Sequence, residues 1–290
     1  MSQGKARANY LGREGIVQTS NSPDWSFIYS ASSIQDPQWN VGDRVVLPDG
    51  RVFRYAKAGT GGVVTEFGAA YLKKTNTNAV APAQATLADP GFPSPSLVAC
   101  GAAGSQYVTV TIDTTVGHLA TGVLSQDELR GGYVVVGNGS SQHPDFRGIL
   151  GHPALATTGG ALTLHLDAPL KTAVTVATTN IELIGNPYID LVNGNYSPND
   201  YVSFMGMPAV GATVGQYFWI QTWGPCWITS NNSTCTSASD RDIFFVSNGS
   251  CVSGADITYA GHAYQRAGTA MDASSSGSSN APMVMLQISC

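Results

Sequence analysis

Short runs of β-branched and aromatic residues, each closed by glycine, proline or asparagine, recur along the chain from Arg44 onward. Runs of that length between turn residues are strands. The sharpest is Arg44-Val45-Val46-Leu47-Pro48-Asp49-Gly50-Arg51-Val52-Phe53-Arg54-Tyr55. Proline presets φ for a turn, aspartate bonds its own backbone and glycine accepts the left-handed position, so this segment predicts a β-hairpin. Gln106 to Ile112 alternates, and Tyr133–Val136 lies between glycines. Ala161–Leu166 places three leucines on one face, with Thr163 and His165 on the other. Thr172 to Ile184 reads as a long two-faced strand. Val202–Met207, Gln216–Trp223, Cys226–Thr229, Ile243–Val246 and Met283–Ile288 read as further strands, with a turn at Gly224-Pro225. Helical signals are sparse: a short helix over Glu66–Lys74, and a capping box at Ser125-x-x-Glu128 broken by Gly131-Gly132.

Composition agrees. Charged residues are 11% of the chain, against a globular norm of about 25%, while apolar content is an ordinary 43%. Low charge here is not disorder. It comes with 33 glycines and 15 prolines, and with few of the glutamates and lysines that build helices. A helical bundle, a coiled coil and an acidic solvating tail are excluded. The expected fold is mainly β: β-sandwich or barrel-like domains with an extended N-terminal arm and few short helices.

At 290 residues the chain is long enough for about two domains. Residues 1–24 lack periodicity and read as an arm that orders only on binding, so 1–75 is expected to be an arm plus hairpin region. Residues 76–104 form a Pro/Ala/Ser-rich linker centred on Asp89-Pro90-Gly91-Phe92-Pro93-Ser94-Pro95. A central β-domain over 105–200 and a C-terminal β-domain over 201–290 follow, with a flexible loop at Asp272–Asn280.

The net charge of −5 is uneven. Residues 1–74 carry nine basic groups, Lys5, Arg7 and Arg13 among them, against six acids. That excess is too sparse for a nucleic-acid footprint. Met1 is followed by Ser-Gln-Gly-Lys-Ala-Arg-Ala-Asn with no apolar signal region, and no run approaches the roughly 20 residues of a membrane span. The expectation is synthesis in a cytoplasm, no membrane partner, and five free thiols at Cys100, Cys226, Cys235, Cys251 and Cys290. Their spacing has no CxxC, so no metal site and no cofactor are expected.

Chemistry-bearing residues are few. His143-Pro144-Asp145 and His152, with Arg147 between, contain the types needed for acid–base work or a metal, but the prolines make them turns and no nucleophile accompanies them. No G-x-S-x-G elbow, P-loop or HExxH occurs, so no catalytic residue is assigned; a carboxylate pair of the glycosidase kind has no sequence signature and stays open. The aromatic strand Tyr217-Phe218-Trp219-Ile220-Gln221-Thr222-Trp223, with Trp227 behind it, has three readings. It is a core buried on both sides, a protein interface, or a sugar-stacking platform.

Two segments, Trp39–Tyr55 and Gly215–Pro225, resemble stretches of virion structural proteins of tailed bacteriophages, in particular capsid decoration (cement) proteins. Asn186-Pro187-Tyr188 and Val284-Met285-Leu286-Gln287-Ile288 resemble the same family. The resemblance implies a non-enzymatic β-rich protein, made in the host cytoplasm and placed on the outer capsid surface of the virion. There it would bind the major capsid protein, usually as a homotrimer. Tyr217, Trp219, Trp223 and Trp227 are then the candidate anchors between copies, and Lys5, Arg7 and Arg13 offer a basic surface to the shell. The alternatives are a tail-associated or receptor- or glycan-binding virion protein and, third, a carbohydrate-active enzyme.

Overall fold

The computed structural model describes residues 7–10, 13–16, 24–59, 70–74, 102–112, 123–138, 145–156, 160–173, 179–192, 201–230, 241–246, 249–254, 265–272 and 282–289. The chain is mainly β, with about half of it in strands; among the described residues there is no helix of seven or more residues, and of the two sheets one is curled into a half-barrel. It divides into two compact units, one formed by residues 1–73 with 188–290 and the other by 74–187.

The first unit opens with β1 (Arg7–Tyr10) and β2 (Arg13–Ile16), an antiparallel pair whose second strand runs parallel to β3 (Arg44–Val46). Within the stretch expected to be an arm, these eight residues are therefore paired strands, and residues 1–6, 11–12 and 17–23 lie outside the described residues. The edge of β3 presents unpaired backbone groups, and pairing with such an edge needs main-chain hydrogen bonds rather than amphipathic spacing. β3 and β4 (Val52–Lys57) make the expected hairpin, with Gly50 at φ 85° and its N–H donated to the Leu47 carbonyl at 3.0 Å. β5 (Ala70–Lys74) is a strand paired with a later one, not the C-terminal half of a helix; a sheet partner overrides the weak helix propensity of Ala-Tyr-Leu-Lys-Lys. The rest of that expected helix, and the linker over 76–101, lie outside the described residues.

The second unit is one antiparallel sheet of β6 (Tyr107–Ile112), β7 (Tyr133–Asn138), β8 (Asp145–Gly151), β9 (Gly160–Leu166) and β10 (Thr179–Ile184), in the order β10-β7-β8-β9-β6. Leu162, Leu164 and Leu166 are all at most 1% exposed, as the alternation of β9 predicts, and they join Val108, Val134, Ile149 and Leu183 in one core. All five strands thus feed the same face. The long strand expected from Thr172 is shorter: Thr172 and Ala173 are irregular, 174–178 lie outside the described residues, and β10 begins at Thr179.

The first unit resumes with β11 (Tyr201–Pro208), β12 (Tyr217–Trp227), β13 (Asp242–Phe245), β14 (Cys251–Ser253), β15 (Arg266–Ala270) and β16 (Met283–Gln287). The sheet runs β1-β2-β3-β4-β12-β16-β15-β13-β14, with β11 branching from β12 and β5 pairing with β11. Boundaries drawn at 75/76 and 200/201 do not match this. β4 and β12 are adjacent strands, paired from Tyr217↔Lys57 to Trp223↔Val52, so the hairpin and the C-terminal region share one sheet. β12 also runs straight through Gly224-Pro225, where a turn was expected. Gly224 at φ 93° faces Leu286 and Pro225 faces Met285. Pairing with β4 has ended by then, and proline is tolerated where a strand is laddered on one side only.

Candidate docking face

β12 changes character at Thr222. Its register against β4 shifts between Gln221 and Trp223, the signature of a β-bulge. The Thr222 hydroxyl donates to the Ser289 carbonyl at 2.6 Å, and the Gln221 amide donates to the carbonyls of Trp223 (3.1 Å) and Pro225 (2.8 Å). The irregular backbone is thereby tied down by buried side chains.

Before the bulge both faces are covered. Phe218 and Ile220 pack with Ala56, Ala58, Leu191 and Ala212. On the other face Trp219 meets Trp39 edge-on at 4.8 Å and 89°, with Phe27 at 5.6 Å and Tyr55 at 5.1 Å. Tyr217 stacks on Tyr55 at 5.8 Å and 16°, and the Lys57 ammonium lies 5.3 Å from its ring centre. Trp219 is 2% exposed. It is therefore a core residue, and its place among the candidate interface anchors is corrected. Edge-to-face rings at these separations add to the burial itself.

After the bulge only one face is covered. Cys226 packs inward with Val284, Leu286, Ile243 and Phe245. Burial pushes the Cys226 thiol up to about 12, against a smaller opposing pull from Arg51. The other face stays partly exposed among the described residues. Trp223, Pro225 and Trp227 stand opposite Gln287, Met285 and Met283, and the Met271 N–H donates to the Met283 carbonyl at 2.7 Å. Trp227 is 47% exposed, Met271 50% and Met283 43%, with Trp223, Pro225 and Met285 half-buried. At the rim Arg266 pairs with Asp242 at 2.8 Å and also reaches Gln287 and Thr269. An apolar centre of tryptophan and methionine inside a polar, charged rim is the anatomy of a protein interface.

Of the remaining candidates, Arg7 and Arg13 begin β1 and β2, while Lys5 lies outside the described residues. Arg7 and Arg13 thus belong to strands other than β12, β15 and β16, which carry the Trp–Met face. Met283 and Met285 escaped the sequence reading because Met283-Val284-Met285-Leu286 is apolar at every position. Such a run reads as buried on both sides; only Met271, outside any run, hinted at exposure.

The histidine and aspartate candidates hold backbone. The Leu129 N–H donates to His152 Nε2 at 2.8 Å, leaving Nδ1 to carry the hydrogen that meets the Pro153 carbonyl at 2.8 Å. Asp145 accepts from Arg147 at 2.9 Å and from the Lys171 N–H at 2.8 Å. Both residues are buried, and His143 lies outside the described residues. Among the described residues no three His, Cys, Asp or Glu side chains are grouped to hold a metal. Cys226 and Cys251 are free thiols, and the other three cysteines lie outside the described residues.

No family model, no curated protein and no solved structure matches this chain.

Proposed function

We propose that this chain is a non-enzymatic structural protein of a phage virion that decorates the outer capsid surface, self-associating through the Trp223–Trp227 end of β12 and binding the major capsid protein. The observation that carries this reading is the open Trp–Met face. Contiguous exposed apolar surface with a polar rim marks a site of association, and aromatic anchors dominate the energy of such contacts. The face is mounted on paired strands, so little conformational entropy is lost when it is covered. The two segments that resemble decoration proteins support the same reading, because Trp39–Tyr55 and Gly215–Pro225 meet in one aromatic core around Trp219.

The reading has a physical logic. A protein that binds the assembled shell and not loose subunits stabilises the shell by mass action. Self-association into a closed ring, a trimer by resemblance, would multiply each weak shell contact. The basic residues of the β1–β2 hairpin then face an acidic shell while the Trp–Met face joins neighbours.

The test has two arms. Light scattering at micromolar concentration should give three times the chain mass, and particles assembled without the protein should rupture at lower temperature than particles that carry it. A monomer with no occupancy on particles would overturn the reading. So would a location confined to the tail.

A further inference from the structure

The five-stranded sheet of the second unit carries its own outward face, opposite its leucine core. Leu150, Thr163 and His165 point outward there, alternating with buried Ile149, Leu162, Leu164 and Leu166. Together with Gln126 and Asp127 they line a cavity of about 460 Å³.

Asp127 is held in that cavity by an unusual arrangement. Its backbone is left-handed, at φ 60°. Its N–H donates to the His152 carbonyl at 3.1 Å, and its Oδ1 accepts the His152 N–H at 2.8 Å. A Cβ on Gly151 would lie 2.5 Å from Oδ1, so the carboxylate occupies space that only glycine leaves. Asp127 is thus fixed at the cavity wall, with Oδ1 tied to the His152 N–H and Oδ2 without a hydrogen bond among the described residues.

The face continues along β8. Gly148 stands two residues before Leu150, and the Asp167 carboxylate lies over it, 2.8 Å from where a Cβ would be. Two residues further, Phe146 stacks on Tyr133 at 4.9 Å and 17°, the two rings being 54% and 37% exposed. At about 3.3 Å per residue, the aromatic pair lies roughly 13 Å from the cavity wall at Leu150. A cavity, a carboxylate and an exposed aromatic pair thus follow one another on a single strand.

We propose that this face binds an uncharged oligosaccharide, with one sugar ring in the Asp127 cavity and a later ring on the Tyr133–Phe146 pair. Sugar hydroxyls supply the donors that acceptor-only carboxylates need, and they accept from Gln126 and His165. The C–H face of a sugar suits flat aromatic rings and the Leu150 side chain. Two carboxylates on this face disfavour sialylated or sulfated chains, because like charges repel. This inference is independent of the shell reading, since it uses no residue of the Trp–Met face.

The full chain should be screened on an array of neutral, sialylated and sulfated glycans, and the best ligand titrated calorimetrically against variants. Asp127→Asn tolerates the left-handed backbone and keeps an oxygen toward His152, yet places a donor where Oδ2 accepts. It should weaken binding of both short and long saccharides on the order of tenfold to a hundredfold, the cost of losing a hydrogen bond to a charged group. Phe146→Ala should weaken only the longer saccharides. Should Asp127→Asn fail to fold, His165→Ala on the exposed rim replaces it. No neutral glycan bound at millimolar concentration, a preference for anionic glycans, or affinities unmoved by both the cavity variant and Phe146→Ala would each overturn the proposal. Binding that persists in Trp227→Ser keeps it distinct from the docking face.

Discussion

The two halves of β12 carry the same residue types with opposite fates. Trp219 and Trp227 share a strand, yet one is 2% exposed and the other 47%. The first sits where the aromatic side chains of Phe27, Trp39 and Tyr55 close over the sheet. The second lies past the bulge at Thr222, where β16 provides a neighbour within the sheet and about half of the side chain's surface stays exposed. What a tryptophan does in a strand is thus decided by what covers that face, not by the alternation that places it there. The first half holds the fold together; the second leaves Trp227 and its methionine neighbours half exposed.

The contrast is broken most directly by truncating each tryptophan. Trp219→Ala removes the centre of an aromatic cluster and should cost about 3–5 kcal/mol, enough to unfold much of a marginally stable unit. Trp227→Ala should change stability by less than about 1 kcal/mol, since half of its surface is already in water. Urea unfolding followed by far-UV circular dichroism compares them. Similar losses in the two variants would erase the distinction between the halves.

Self-association should show the reverse order. Trp227→Ser combined with Met283→Ser removes two facing apolar anchors and should weaken association about thirtyfold or more, the effect of losing a hot spot of about 2 kcal/mol. Sedimentation equilibrium reads this. A conservative change at the buried site, Trp219→Phe, should leave association intact as long as the chain remains folded. If the double variant assembles normally, the open face is not the interface.

The hinge between the halves offers a smaller effect. Gly224 has φ 93°, and a Cβ there would lie 2.9 Å from the Arg51 Cα, backbone that cannot swing aside. Gly224→Ala should therefore cost about 1–3 kcal/mol. Pro225→Ala, next to it in the one-sided ladder, should stay within about 0.5 kcal/mol. Thermal melts of the pair test whether the close approach to the β3–β4 turn at Gly50 and Arg51, rather than the Gly-Pro dipeptide as such, fixes the strand.

These details explain what was legible in the sequence. Local chemistry could be read: Pro48-Asp49-Gly50 makes a turn wherever it stands, and the leucines of β9 fall on one face by geometry alone. The placement of Trp219 in a core was one of the readings its strand allowed. Which half of β12 would stay open was not legible, because the cover comes from Phe27 and Trp39, some 180 residues earlier in the chain. The same holds for Gly224-Pro225. The dipeptide signals a turn unless a tertiary partner makes an extended path cheaper, and here β16 supplies one. The strands β1, β2 and β5 were missed for a related reason: edge pairing uses backbone groups that every residue has. The Asp127 cavity left only a faint signal, His165 on the polar side of β9, because Gly151 and the left-handed Asp127 come together only in the folded sheet.

An effect confined to alkaline pH reports on the covered face of the second half. Cys226 lies beneath Trp227 in the strand, with its thiol at about 12 in the folded chain against 9.0 for a free cysteine, chiefly because burial disfavours the thiolate. Below pH 9 both folded and unfolded chains keep the proton, so this thiol makes stability neither rise nor fall. Between pH 9 and about 12 the unfolded chain releases the proton and the folded chain holds it, so stability falls with rising pH by roughly one kcal/mol per pH unit. Other groups titrate in that range, and the contribution of Cys226 is therefore the difference between the native chain and Cys226→Ala, which should lose less stability over the same interval. At pH 8 the folded thiol should also resist alkylation, and react only as fast as the chain opens. Parallel stability curves for the two chains above pH 9, together with rapid labelling of Cys226 at pH 8, would show that this face is open as well. The second half of β12 would then be bare on both sides, and the contrast with the Trp219 half would have to be drawn anew.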